Sequence, residues 1–135
     1  FRPVGGTDSE LAFCWLMQEL AKAHASVPSI AELSHTLREL LPIPAAHGTF
    51  NLLLSNGQAL WAHASTSLHW LERAHPFGAA RLADEDLSVD FGALTQPGDR
   101  VAMIATQPLT CDEPWQAFQP GELRVFVGGQ AQPMV

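Results

Sequence analysis

Apolar residues recur at three- and four-residue steps over the first third of the chain and then give way to alternation. Thr7-Asp8-Ser9-Glu10 fits a capping box, in which a Thr side chain and a Glu three residues on satisfy each other's exposed amides. Leu11, Cys14 and Trp15, with Phe13, Leu16, Met17 and Leu20 beside them, then predict a helix that ends between His24 and Ser26, ahead of Pro28. Its apolar face is broad, so burial on more than one side is expected. A second helix is predicted from Ser29, with Glu32 three residues later. Ile30, Leu33, Leu37, Leu40 and Leu41 make one stripe, Glu32, Arg38 and Glu39 face water, and Pro42 and Pro44 close the helix.

Beyond Phe50 the period shortens to two. Phe50, Leu52 and Leu54 alternate with Asn51 and Leu53. Asn56-Gly57 supplies the left-handed pair of a tight hairpin turn, and 60–63 form the return strand. Further strands are predicted over 68–73, 78–82, 100–106 and 122–127, the last two after the turns Pro97-Gly98-Asp99 and Pro120-Gly121. Two N-terminal helices followed by mostly antiparallel, hairpin-linked strands make an α+β protein, one domain or part of one. No repeat, low-complexity tract or linker interrupts it.

Composition narrows the function. At 47% hydrophobic and 16% charged, the 135 residues suffice for one globular core. The longest apolar runs, such as 101–105, fall far short of the roughly 20 residues that span a bilayer, and no export signal stands out. A net charge of −7 with seven scattered Lys and Arg residues argues against nucleic acid and favours a small charged ligand or a protein partner. Cys14 and Cys111 form no CxxC pattern, which excludes a disulfide scaffold or cysteine zinc site and makes a reducing cytoplasmic setting the expectation. Neither a metal nor a cofactor is called for. The chain opens at Phe1 without an initiator methionine, as a processed product or a part of something longer would.

Gly5-Gly6-Thr7-Asp8-Ser9-Glu10 is the most informative stretch: a flexible loop feeding a capped helix with a carboxylate at its first position. By itself, Asp8 there complements the positive end of the helix dipole. Facing a cleft, it would hold a substrate ammonium group. The segment 6–13 resembles the helix-start motif of the class II, amino-terminal-nucleophile glutamine amidotransferases, closest to the small stand-alone bacterial type. So do 50–57 followed by 62–66, then 67–78, 104–110 and 115–122, an ordered set within roughly positions 1 to 129.

The resemblance implies a four-layer α/β/β/α Ntn-hydrolase fold of which residues 1–135 are the C-terminal portion. It implies hydrolysis of the side-chain amide of glutamine or a γ-glutamyl compound, and Asp8 as the residue that binds the substrate's α-amino group. The family's nucleophile, an amino-terminal cysteine, is accessible as a thiolate near neutral pH. That cysteine, the arginine that clamps the substrate carboxylate and the Asn-Gly oxyanion hole precede the segment where this sequence begins. The chain alone is therefore expected to be inactive, supplying scaffold and substrate binding but no catalytic residue. Its expected partners are the small-molecule substrate and the missing N-terminal portion or a companion chain, with no nucleic acid and no membrane; a homo-oligomer stays open. The rival reading is a non-catalytic binding or interaction module that retains the scaffold.

Other candidates are weaker. Cys14 sits mid-helix beside Trp15 and Leu16, where an inert thiol is usual. Cys111 adjoins Asp112 and Glu113, which would raise a thiol pKa rather than activate it. His63, His69 and His75 recur at six-residue intervals without HExxH or a matching carboxylate, so packing or surface roles are expected, although His63 and His69 lie in family-matching segments and could line a cleft. Trp15, Trp61, Trp70 and Trp115 are candidate core or interface anchors. Asp84-Glu85-Asp86 reads as a solvated turn, and Ser65-Thr66-Ser67 as a polar loop or pocket edge.

Overall fold

The first helix, α1 (Asp8–Ala23), begins where the Thr7 hydroxyl accepts the Glu10 amide at 3.3 Å. It ends at His24, whose backbone is extended while its N–H still reaches the Leu20 carbonyl. The computed structural model describes residues 1–75, 79–83, 88–90 and 96–133. These fall into two compact units, Phe1–Thr49 and Phe50–Val135. The expected capping box at Thr7 is half made, because the Glu10 carboxylate passes Thr7 and takes the amides of Val4 and Gly5 instead. Leu16 and Leu20 are buried, whereas Leu11 and Phe13 are 59% and 44% exposed, so burial on more than one side of α1 is not what the structure shows. Periodicity tells which faces can be covered; neighbours decide which are.

Helix α2 (Ile30–Leu40) carries a complete capping box: Ser29 Oγ accepts from Glu32 N, and Glu32 Oε2 accepts from Ser29 N at 2.7 Å. Those bonds, the backbone one foremost, hold the Glu32 carboxyl below its ordinary value. Leu33, Leu37 and Leu41 are buried; Ile30 and Leu40 are half-buried. Ser34 joins the buried row because its hydroxyl donates back to the Ile30 carbonyl at 2.7 Å. Pro42 does close α2, yet the chain keeps turning through a short helix, α3 (Pro42–Ala45), with Pro42 at a starting position where a missing N–H costs nothing. His24 Nε2 meets Thr36 Oγ1 at 2.8 Å and ties α1 to α2.

The second unit comprises β1 (Leu52–Ser55), β2 (Leu60–His63), β3 (His69–Ala74), β4 (Ala79–Arg81), β5 (Ser88–Asp90), β6 (Arg100–Ala105), β7 (Gln116–Ala117), β8 (Leu123–Val127) and β9 (Gln130–Ala131). All pairings among the described residues are antiparallel, in sheets ordered β1-β2-β8-β9, β6-β3-β7 and β4-β5. The α+β expectation holds: β1-β2, β4-β5 and β8-β9 pair as sequence neighbours, and the remaining pairings are long-range. β2 pairs with β8 and β3 with β6, contacts that no local turn signal encodes. β5, β7 and β9 were not expected, and the predicted strand over 78–82 is observed as β4.

Asn56-Gly57 makes the β1–β2 hairpin by a different device from the two-residue turn expected. Ser55 pairs with Leu60, leaving four loop residues, and only Gly57 takes a positive φ, +88°. Asn56 Oδ1 accepts the amides of Gln58 and Ala59, both at 2.9 Å, so its side chain rather than a left-handed backbone closes the turn.

One face of the four-stranded sheet packs on one face of the three-stranded sheet. Leu60, Ala62, Phe126 and Ala131 meet Trp70, Ala102 and Ile104, with Ala64, Leu68 and Phe118 completing the core. Trp70 and Phe126 meet edge-on with centroids 5.8 Å apart. Arg124 lies 4.8 Å over the Trp70 ring and is held by Glu122. The opposite face of the four-stranded sheet carries Trp61, His63, Leu123 and Val125, which are also buried. No helix among the described residues is long and apolar enough to cross a membrane.

Candidate functional site

Asp8 is exposed at the first position of α1. Its Oδ1 accepts the Ser9 amide at 2.8 Å, the bond that fixes the carboxylate against the helix end. Among the described residues Oδ2 has no hydrogen-bond partner and no cation pairs with the group. An anion with one free oxygen at the positive end of a helix can receive an ammonium group from a ligand.

A second constellation lies in the other unit, where the start of β1 meets the end of β2. Asn51 Oδ1 accepts the amides of Ser65 and Thr66 at 2.8 and 3.2 Å, while its amide nitrogen donates to Thr66 Oγ1. Ser65 Oγ accepts the Phe50 amide at 2.7 Å. Ser67 Oγ donates to the Thr106 carbonyl at 2.9 Å. The serine-threonine run is thus a set of backbone clasps. A carbonyl can only accept, so the 3.0 Å contact of His63 Nδ1 with Phe50 O places a proton on Nδ1. Burial lowers the His63 pKa, and the bond to Phe50 opposes that only in part. The imidazole is a neutral packing group, 3% exposed.

That sets a pH dependence. The unfolded chain protonates His63 near the ordinary value of 6.5 while the folded chain resists, so stability conferred by the neutral ring is complete above that value and falls as pH drops through it toward the lowered folded value. Urea midpoints measured between pH 7.5 and 5 should decline, and His63→Gln should flatten that decline. An equal slope in the variant would assign the dependence to other groups.

His69 Nδ1 contacts the Thr106 carbonyl at 3.1 Å at the start of β3, and the His75 amide donates to Asp99 O. The three histidines do not converge. Among the described residues no group of three His, Cys, Asp or Glu side chains is placed to hold a metal ion. Cys14 is half-buried and Cys111 exposed, neither in a disulfide. Trp61 and Trp70 are core residues, whereas Trp115 is half-buried and donates to Thr110 Oγ1 at 2.8 Å. The acidic stretch 84–86 lies outside the described residues.

A cleft of about 320 Å³ opens at one end of the sandwich, floored by Leu60, Ala102, Ile104 and Phe126 and rimmed by Arg100 and Gln58. Neither His63 nor His69 is among its walls. Ser55, the only hydroxyl among its described walls, donates to Ala59 O and accepts from Gly57 N, so it is a turn residue and not a base-activated nucleophile. Sequence reasoning missed the Arg73–Glu113 pair, which lies in the same unit. Its members are 40 residues apart, and no local spacing links them.

The chain belongs to the class II glutamine amidotransferases, whose family model matches residues 1–135. It is 46% identical over 138 aligned positions to YafJ of Escherichia coli (strain K12), provisionally named a glutamine amidotransferase, with 96% of this chain and 51% of that protein covered. A Haemophilus influenzae protein of the same provisional name is 40% identical, with 96% and 44% covered. A 2.0 Å crystal structure of a Pseudomonas aeruginosa PA01 protein, assigned by prediction to the glutamine amidotransferases, superposes with a TM-score of 0.86 at 41% identity. That match covers 99% of this chain and 53% of the other. The chain spans about half the length of the curated relatives it matches.

Proposed function

We propose that this chain is the C-terminal portion of a single glutamine amidotransferase domain, and that the complete protein hydrolyses the side-chain amide of glutamine or of a γ-glutamyl compound. The observation that carries the reading is Asp8, exposed at the start of α1 with one carboxylate oxygen uncommitted, in a chain of this family. Its role is to hold the substrate's α-ammonium. The nucleophilic cysteine, the carboxylate clamp and the oxyanion hole come from the remaining portion or a companion chain. The strands of this chain, within a four-layer Ntn arrangement, scaffold them. Exposed apolar side chains on α1 and on β1, where Leu53 is 51% exposed at the edge of its sheet, support a role as part of a larger assembly rather than as a self-sufficient binding module.

The test is ammonia release from glutamine by the complete protein. Asp8→Asn removes a hydrogen bond to a charged group, about 1.5–3 kcal/mol, so KM should rise roughly ten- to a hundredfold. An unchanged KM would remove Asp8 from the substrate site. Absence of ammonia release from a folded complete protein, with γ-glutamyl amides also inert, would leave the interaction-module reading.

A further inference from the structure

We propose that Glu10 is a positioning residue for the Asp8 anchor, a clamp that holds the loop ahead of α1 in the form the substrate meets. The inference rests on the proposed role of Asp8 in binding the α-ammonium. The motif offers two carboxylates within one helical turn, and the structure gives them different work. Both oxygens of Glu10 are committed to backbone: Oε1 accepts the Val4 amide at 2.7 Å and Oε2 the Gly5 amide at 2.9 Å. Asp8 keeps Oδ2 free. The Glu10 carboxylate is therefore held by the loop, while Asp8 keeps a whole oxygen for a ligand.

The clamp also explains one glycine of the pair. A Cβ on Gly5 would lie 2.5 Å from Glu10 Oε2, so a side chain there would make the carboxylate move from its present place. A Cβ on Gly6 would meet nothing within 4 Å. With Thr7 Oγ1 taking the Glu10 amide and Thr7 O taking the Leu11 amide, residues 4 to 10 form a ring closed by hydrogen bonds at both ends. Opening it at Glu10 frees a segment with two glycines, which have more conformations to lose than any other residue when a ligand orders them. The cost then appears in binding and not in chemistry. A simple helix cap would behave otherwise: its loss lowers stability and leaves the substrate constant alone.

The experiment uses the complete protein and four variants, Glu10→Gln, Gly5→Ala, Gly6→Ala and Asp8→Asn, with glutamine kinetics and amide hydrogen exchange at Val4 and Gly5. Loss of bonds to a charged acceptor should speed exchange at those amides about tenfold in Glu10→Gln and Gly5→Ala and raise KM about five- to tenfold, with kcat within about twofold. Gly6→Ala, whose Cβ meets nothing within 4 Å, should leave exchange at Val4 and Gly5 unchanged. Gly5→Ala displaces the carboxylate from an exposed loop without touching the helix, so it carries the test if Glu10→Gln does not fold. Faster exchange with an unmoved KM in both clamp variants, while Asp8→Asn raises KM, would make Glu10 a cap only. An unmoved KM in Asp8→Asn would sink the underlying reading and this inference with it, whatever the exchange rates say about the clamp.

Discussion

Arg73→Met is expected to cost about 3–5 kcal/mol of folding stability, the typical penalty for stripping one partner from a buried ion pair. Arg73, on β3, presents Nε and one terminal nitrogen to the two oxygens of Glu113, with the Nε contact at 2.7 Å. Both side chains are only 9% exposed. Thr110 donates to Glu113 at 2.7 Å and accepts from Trp115 Nε1, so one carboxylate gathers the segment between β6 and β7 against β3. Burial pushes the Glu113 carboxyl up, but the hydrogen bonds from Arg73 and Thr110 and the guanidinium charge outweigh it and leave the carboxyl below its ordinary 4.5.

The folded value is depressed, so the stabilisation is full above the unfolded value and is lost as pH falls through the folded one. Methionine fills the space of the arginine stem and leaves Glu113 buried without its cation. Burial then prevails and its carboxyl rises. The deficit of the variant, read from urea unfolding, should be largest near pH 7 and shrink toward pH 4. The double variant Arg73→Met, Glu113→Leu should recover much of the loss, because it removes the stranded charge. A deficit independent of pH, or a double variant no better than the single, would mean that packing and not charge dominates the site.

Gly129→Ala should destabilise by about 2–5 kcal/mol, whereas Gly128→Ala, one residue earlier, should cost about 1–2. Val127 and Gln130 close a two-residue turn between β8 and β9, and both glycines have positive φ, +57° and +77°. Either alanine carries the left-handed penalty of roughly 1–2 kcal/mol. Only Gly129 also faces a wall. An added Cβ would sit 2.7 Å from the carbonyl carbon and oxygen of Arg100 and 2.9 Å from the amide of Val101, and would meet nothing at Gly128. Those atoms are β6 backbone and cannot rotate aside, so overpacking adds about 1–3 kcal/mol. Paired denaturation curves decide the point. Equal losses in the two variants would show that β6 yields and that the close approach is not rigid.

Much of what local chemistry controls was legible in the residues. Ser29 and Glu32 built the capping box that their spacing announced, and the switch of period after Phe50 marked where helices give way to strands. The motif at Thr7 located the start of α1 but not the use of Glu10, since a flexible carboxylate can reach Thr7 or pass it, and the loop path decides which. Gly128-Gly129 was a readable hairpin signal for the short β9, whereas β7 is two residues long and has no turn of its own to betray it.

The sequence by itself determined the α+β character, the two long helices, most of the strands and the placing of Asp8 at a helix start, because helix caps, glycine turns and apolar periods act over a few residues. Tertiary structure alone decided that β2 pairs with β8 and β3 with β6, that Arg73 meets Glu113 across 40 residues, that His63 is sealed in as a neutral ring, and that Leu11 and Phe13 stay exposed. These outcomes depend on which distant surfaces meet, and a burial partner leaves no mark in the local spacing of the residue it buries.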